Sequence, residues 1–146
     1  MMKTLIAGLA LIAMTSCFGS TTPTSTTYKA TLLGSSEVPP VTANSNMKAV
    51  ATATLDIGSG VLKVSGTYSY LSGPVTAQHI RGPGGVGEIA PIVFTLTSTA
   101  TVAAGSFTGT FTLSASQISD LNSGLYYVNL ETAANPSGEV RGQLIK

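Results

Sequence analysis

Met47-Lys48-Ala49-Val50-Ala51-Thr52-Ala53-Thr54-Leu55-Asp56-Ile57-Gly58-Ser59-Gly60-Val61-Leu62-Lys63-Val64-Ser65-Gly66-Thr67-Tyr68-Ser69-Tyr70 decides the fold of this chain. In the first half Met47, Ala49, Ala51, Ala53, Leu55 and Ile57 alternate with Lys48, Thr52, Thr54 and Asp56, and Val50 breaks the pattern. In the second half Leu62, Val64, Gly66, Tyr68 and Tyr70 alternate with Lys63, Ser65, Thr67 and Ser69. A period of two belongs to a half-buried β-strand. The Gly58-Ser59-Gly60 turn between two such runs makes a β-hairpin. The small side chains of Ala49, Ala51 and Ala53 imply close sheet packing or a face without a helix on it.

The same alternation extends outward. Phe107, Gly109, Phe111 and Leu113 alternate with Thr108, Thr110 and Thr112. Pro91 to Thr97 is a β-rich run, Tyr126, Val128 and Leu130 make an apolar strand face, and Glu139 to Ile145 is the last strand. One segment leans helical: Ser114 is placed as an N-cap and Gln117 as its capping-box partner, with Ile118 and Leu121 facing inward. Asn135-Pro136-Ser137-Gly138 reads as the turn of a terminal hairpin. The pattern predicts an all-β fold, an antiparallel β-sandwich of about 7–8 strands with at most one short helix. Residues 28–146 suffice for one core.

Ahead of that domain stands a short apolar segment. Lys3 precedes an apolar run from Leu5 to Met14, and Met14-Thr15-Ser16-Cys17 follows. A membrane-spanning helix needs about 20 apolar residues, whereas a secretory h-region needs about 7–15. The segment is therefore read as a lipoprotein signal over residues 1–16. Cys17 is the lipidated first residue of the mature protein. Residues 17–27, rich in Ser and Thr, form a tether, in which the stretch from Phe18 to Thr27 has an r.m.s. span of about 17 Å. The location expected is an exported protein, lipid-anchored to a bacterial membrane. In a host with two membranes, Phe18 in place of Asp points to the outer membrane.

Charge narrows the partners. The chain has seven Lys+Arg and six Asp+Glu, and removing Lys3 with the signal leaves six of each. A neutral mature chain without a basic stripe argues against nucleic acid. Cys17 is the sole cysteine, so acylation leaves no thiol for a disulfide or a cysteine metal site. The Gly82-Pro83-Gly84-Gly85-Val86-Gly87 stretch lacks the helix and Lys-Ser/Thr ending of a phosphate loop, and is read as a flexible surface loop.

Three segments carry a family resemblance. They are Leu33-Gly34-Ser35-Ser36-Glu37-Val38-Pro39-Pro40-Val41, Gln78-His79-Ile80-Arg81-Gly82-Pro83, and the run from Tyr127 to Gln143 containing Asn135-Pro136-Ser137-Gly138-Glu139-Val140-Arg141-Gly142. In that order they resemble the CHRD domain, named from chordin and also found singly in bacterial exported proteins. The resemblance covers Tyr28 to Leu144 and implies an exported β-sandwich without an established enzyme activity. In the family pattern the middle segment usually reads His-x-His, and a further His lies in the closing segment. Here those two positions hold Arg81 and Glu131.

These residues set the site expectations. Glu37 and Arg141 are expected to form a charge-assisted pair, and Glu139, Arg141 and Gln143 to share a strand face. Arg81 and Glu131 are expected to pair across neighbouring strands, with His79 beside them; the competing picture is that all these charges face water. No Gly-x-Ser-x-Gly motif occurs, and a single His with Asp56 and Asp120 elsewhere makes no triad. The function expected is a membrane-tethered lipoprotein acting as a non-catalytic binding or structural module of the cell envelope, with no cofactor. The alternative is a metal-binding or redox protein centred on His79 and Glu131. An envelope protein partner, reached through a sheet edge or a loop, is the further expectation.

Overall fold

The computed structural model describes residues 24–99 and 103–146. The signal segment, Cys17 and the tether as far as residue 23 lie outside the described residues. Among the described residues nine strands and one α-helix follow one another: β1 (Ser25–Thr31), β2 (Lys48–Asp56), β3 (Val61–Ser69), β4 (Val75–Arg81), β5 (Ile92–Thr95), β6 (Thr97–Ser98), β7 (Gly105–Thr112), α1 (Ala115–Asn122), β8 (Tyr127–Thr132) and β9 (Val140–Gln143). One sheet has the order β1-β2-β3-β7-β6 and the other β5-β4-β8-β9. Their pairings are antiparallel, as an all-β sandwich requires.

The hairpin of β2 and β3 is the centre of the larger sheet, with Ala49 opposite Tyr68, Ala51 opposite Gly66 and Ala53 opposite Val64. These alanines are buried, so the small side chains serve close packing. Gly66 is also opposite Phe107 on β7, and a Cβ on Gly66 would fall 2.1 Å from Phe107 Cζ. Small residues on two strands thus leave the space that one fully buried ring fills. The helix is capped as its sequence implies: Ser114 Oγ accepts from Gln117 N, and Gln117 Oε1 accepts from Ser114 N. Leu121 is buried, and Tyr28 donates its hydroxyl to Asn122 at 2.8 Å, which ties the helix end to β1.

Two seams close the sandwich. Lys29 and Ile145 exchange backbone hydrogen bonds, as do Leu33 and Arg141, so the β1 side of one sheet is stitched to β9 of the other. On the opposite side the chain crosses between sheets at Leu96, which gives its N–H to the Gln78 carbonyl while the Gln78 side chain bonds the Leu96 carbonyl.

Several expectations shift. The Pro91–Thr97 run is not one strand: β5 belongs to one sheet and β6 to the other, because Leu96 turns inward and is buried. Strand β1 starts at Ser25, three residues ahead of the expected domain boundary at Tyr28. Tyr70 leaves the alternation, with φ of 60° just past the end of β3, and is exposed. Phe111 is half-buried and stacks on Phe94 with ring centroids 4.3 Å apart, whereas Phe107 is fully enclosed.

Burial ranks the two rings. Phe107→Ala should lower unfolding free energy by about 3–5 kcal/mol, while Phe111→Ala should cost distinctly less. Urea denaturation midpoints check this, and equal losses would contradict the packing described.

Candidate functional site

Strand β8 is unusual in being covered on both faces, with Tyr127, Val128, Asn129 and Leu130 all buried. Val128 and Leu130 belong to the hydrophobic core. The alternate residues Tyr127, Asn129 and Glu131 turn to the other face of their sheet. There they meet the segment around Glu37, the loop after β4 and the turn before β9.

Arg141 organises that cover. Its guanidinium lies 3.5 Å from the centroid of the Tyr127 ring. It donates to the carbonyls of Glu88 at 2.6 Å and Gly85 at 2.8 Å, and to Gln143 Oε1 at 3.1 Å. Gln143 in turn donates to the carbonyls of Gly84 and Gly124. The Tyr127 hydroxyl accepts the Ala90 N–H at 3.0 Å. The glycine-rich loop is therefore pinned at several points, contrary to the flexible loop expected. Its carbonyls are the ligands of a buried guanidinium, which needs acceptors once it leaves water.

The expected pair of Arg81 and Glu131 is present. Arg81 Nη2 donates to Glu131 Oε1 at 2.9 Å, and His79 Nδ1 lies 3.1 Å from the same oxygen. Strands β4 and β8 are neighbours, with His79 opposite Asn129 and Arg81 opposite Tyr127, so the long arginine reaches past His79 to its carboxylate. The charges are partly screened from water rather than facing it. Arg81 Nη1 also donates to the Ala90 carbonyl.

The expected pair of Glu37 and Arg141 is not formed. Glu37 Oε1 instead accepts from Asn129 Nδ2 at 2.8 Å, because Arg141 is occupied by loop carbonyls. Arg141 still acts on Glu37 through space. Burial pushes the Glu37 carboxyl up to about 7, and the Arg141 charge and the Asn129 bond only partly oppose it.

Glu139 also departs from expectation, since it does not share the face of Arg141 and Gln143. Gly138 has φ of 134°, a conformation suited to glycine, and the residue after it lies outside β9. The Glu139 carboxylate accepts from the Ser72 N–H at 2.7 Å, Thr132 Oγ1 at 2.7 Å and Asn135 Nδ2 at 3.3 Å, and the Ser72 hydroxyl also donates to it. Burial raises its pKa, but the hydrogen bonds from Ser72, Thr132 and Asn135 outweigh it and hold the carboxyl below its ordinary range. Glu139 is a structural anchor and lies outside the groove.

What the elements enclose is a groove of about 480 Å³, lined by Glu37, His79, Arg81, Asn129, Glu131 and Arg141, with Val38, Pro39, Ile89, Ile92, Tyr127, Pro136 and Ser137. Ile89 and Ile92 are 75% and 49% exposed, so the rim offers aliphatic surface above a polar floor. The sequence did not single out Asn129 as the partner of Glu37, nor Ile89 and Ile92 as a rim. The one signal was that Asn129 shares a strand face with Glu131. Among the described residues no group of three or more His, Cys, Asp or Glu is placed to hold a metal ion. A cation at Glu131 would meet the Arg81 charge on the same oxygen.

The fold and this groove define a small antiparallel β-sandwich module of the binding or structural kind. The family model of the CHRD domain matches residues 28–144, and the chain belongs to that family. No curated protein and no solved structure was found to match it.

The titration of Glu37 gives a directional prediction. Its folded pKa of about 7 lies above the ordinary 4.5. The folded state therefore keeps a proton that the unfolded chain loses between those values. The resulting stabilisation is complete below the unfolded pKa and is lost as pH rises through the folded one. Relative to wild type, Glu37→Gln should gain stability between about pH 4.5 and 7, on the order of 2–3 kcal/mol. The opposite contribution of Glu139 cancels in that difference. Urea midpoints of both proteins across the range test it, and a gap independent of pH would rule it out.

Proposed function

We propose that this protein is an exported, lipid-anchored binding module of a bacterial cell envelope, working through the groove beside β8 and carrying out no reaction there. The observation that carries the reading is the groove itself: buried polar side chains in its floor and exposed aliphatic ones at its rim. That combination suits a pocket in which a few polar groups orient a ligand and apolar surface holds it. Its volume falls within the about 300–1,000 Å³ of small-molecule sites.

The non-catalytic part rests on how the reactive side chains are used. His79 faces Glu131 and, among the described residues, makes no hydrogen bond to a serine, threonine or tyrosine hydroxyl. A carboxyl titrating near neutrality, as Glu37 does, is a property of general acids. Here its hydrogen bond goes to Asn129, and the second carboxylate, Glu131, is neutralised by Arg81.

Anchoring rests on Cys17 behind its short apolar segment. Among the described residues no helix is long and apolar enough to cross a membrane. One acyl chain binds a membrane marginally, whereas the two or three chains of a lipoprotein hold it stably. A protein partner remains part of the reading, with β5 as the terminal strand of its sheet and Ile92 half-exposed on it.

Cys17→Ser should move the protein from the membrane pellet to the soluble fraction while its far-UV spectrum stays that of a β protein. Wild-type protein recovered soluble, with no lipid mass on Cys17, would sink the anchoring. Tight stoichiometric zinc or copper binding that vanishes in His79→Ala would replace the reading with that of a metal protein.

A further inference from the structure

Among the described residues, two buried polar atoms of side chains that line the groove lack a partner: Asn129 Oδ1, an acceptor, and Arg81 Nε, a donor. Asn129 is only 1% exposed, and neither atom is open to solvent. Buried polar groups are nearly always paired, so an unpaired acceptor and an unpaired donor in one groove need a physical account. Two further acceptors stand open. Glu37 and Glu131 each make their hydrogen bonds through Oε1, and among the described residues the second oxygen of each carboxylate has no partner.

We propose that the groove is the site of a neutral, hydroxyl-rich ligand of the chemical class of a pyranose sugar, oriented by Asn129, Glu37, Glu131 and Arg81 against the aliphatic rim of Ile89 and Ile92. The inference rests on the binding-module reading and gives its ligand a chemistry. Charge selects against the alternatives. Above about pH 7, where Glu37 has lost its proton, Glu37 and Glu131 are balanced by Arg81 and Arg141, which line the same groove. A cationic ligand would meet two guanidinium groups, and an anionic ligand two carboxylates. A hydroxyl both donates and accepts. It can therefore serve the acceptors Asn129 Oδ1 and the open carboxylate oxygens, and also the donor Arg81 Nε. A sugar presents several hydroxyls around a ring whose C–H faces are apolar, which matches a polar floor under Ile89, Ile92, Pro39 and Pro136. Contact with the two buried atoms needs side-chain rotamer shifts of the kind common on binding.

The test is nitrogen-15 NMR of the full chain, following the side-chain signals of Arg81 Nε–H and Asn129 Nδ2. Three titrations are compared above about pH 7, where Glu37 is ionised: a sugar panel of glucose, galactose, N-acetylglucosamine and cellotetraose; spermidine as a cation; and inorganic phosphate as an anion. At least one sugar should shift both signals saturably. Glu37→Gln should weaken that sugar by about tenfold, the effect of losing a hydrogen bond to a charged group. Ile92→Ser should also weaken it while leaving the floor intact, and thermal melts confirm that both variants fold. Shifts with spermidine or phosphate alone would overturn the sugar inference yet keep the groove as a binding site. Silence in all three titrations overturns the sugar inference and leaves the binding reading without support in this groove. Sugar shifts unchanged in both variants would place the site elsewhere and also overturn it.

Discussion

The buried guanidinium of Arg141 is the constraint on which the outer half of this structure depends. A guanidinium taken out of water must find acceptors, and this one is only 3% exposed. It finds them in the carbonyls of Gly85 and Glu88 and in Gln143, and it rests on the Tyr127 ring. The backbone of the same residue exchanges hydrogen bonds with Leu33. One residue of β9 thus joins the smaller sheet, the chain leading to Glu37 and the loop that covers β8. Lysine at this position would bring a compact ammonium that neither forks between carbonyls nor stacks flat on a ring.

The inner half answers to a different constraint, the distance between the sheets. Ala49, Ala51, Ala53 and Gly66 keep the centre of the larger sheet shallow, and Phe107 fills what they leave. The seams at Lys29–Ile145 and at Leu96 then occupy backbone groups that open edges would present to other chains. The β1–β9 side is stitched shut in this way, and β5 remains the terminal strand of the smaller sheet. The groove lies instead on the covered face of the smaller sheet, where loops and strand side chains meet.

Three carboxylates in and around the smaller sheet have three fates, and surroundings set each of them. Glu139 collects donors from Ser72, Thr132 and Asn135 and stays ionised below its ordinary range. Glu131 shares one oxygen between Arg81 and His79. Glu37 has burial without enough compensation and titrates near neutrality. The first anchors a turn, the second holds two strands together, and the third keeps polar capacity that the fold itself does not use.

Alternation along β2, β3, β7 and β8, the glycine turn and the capping box at Ser114 were legible in the sequence because each is a local pattern with a local cause. So was the pairing of Arg81 with Glu131, since period two put each on a definite strand face and only adjacency was needed. What the chain could not show locally was decided by tertiary contacts. Leu96 splits an apparently continuous strand because its neighbours belong to different sheets. Glu37 takes Asn129 instead of Arg141 because the loop carbonyls claim the guanidinium first. Glu139 turns to Ser72, Thr132 and Asn135 rather than lying beside Arg141 because it stands ahead of β9, where the strand's alternation has not begun. The groove arises only when the segment at Glu37, the loop after β4 and the turn before β9 converge on β8, and no periodicity in one strand encodes which distant segments will cover it.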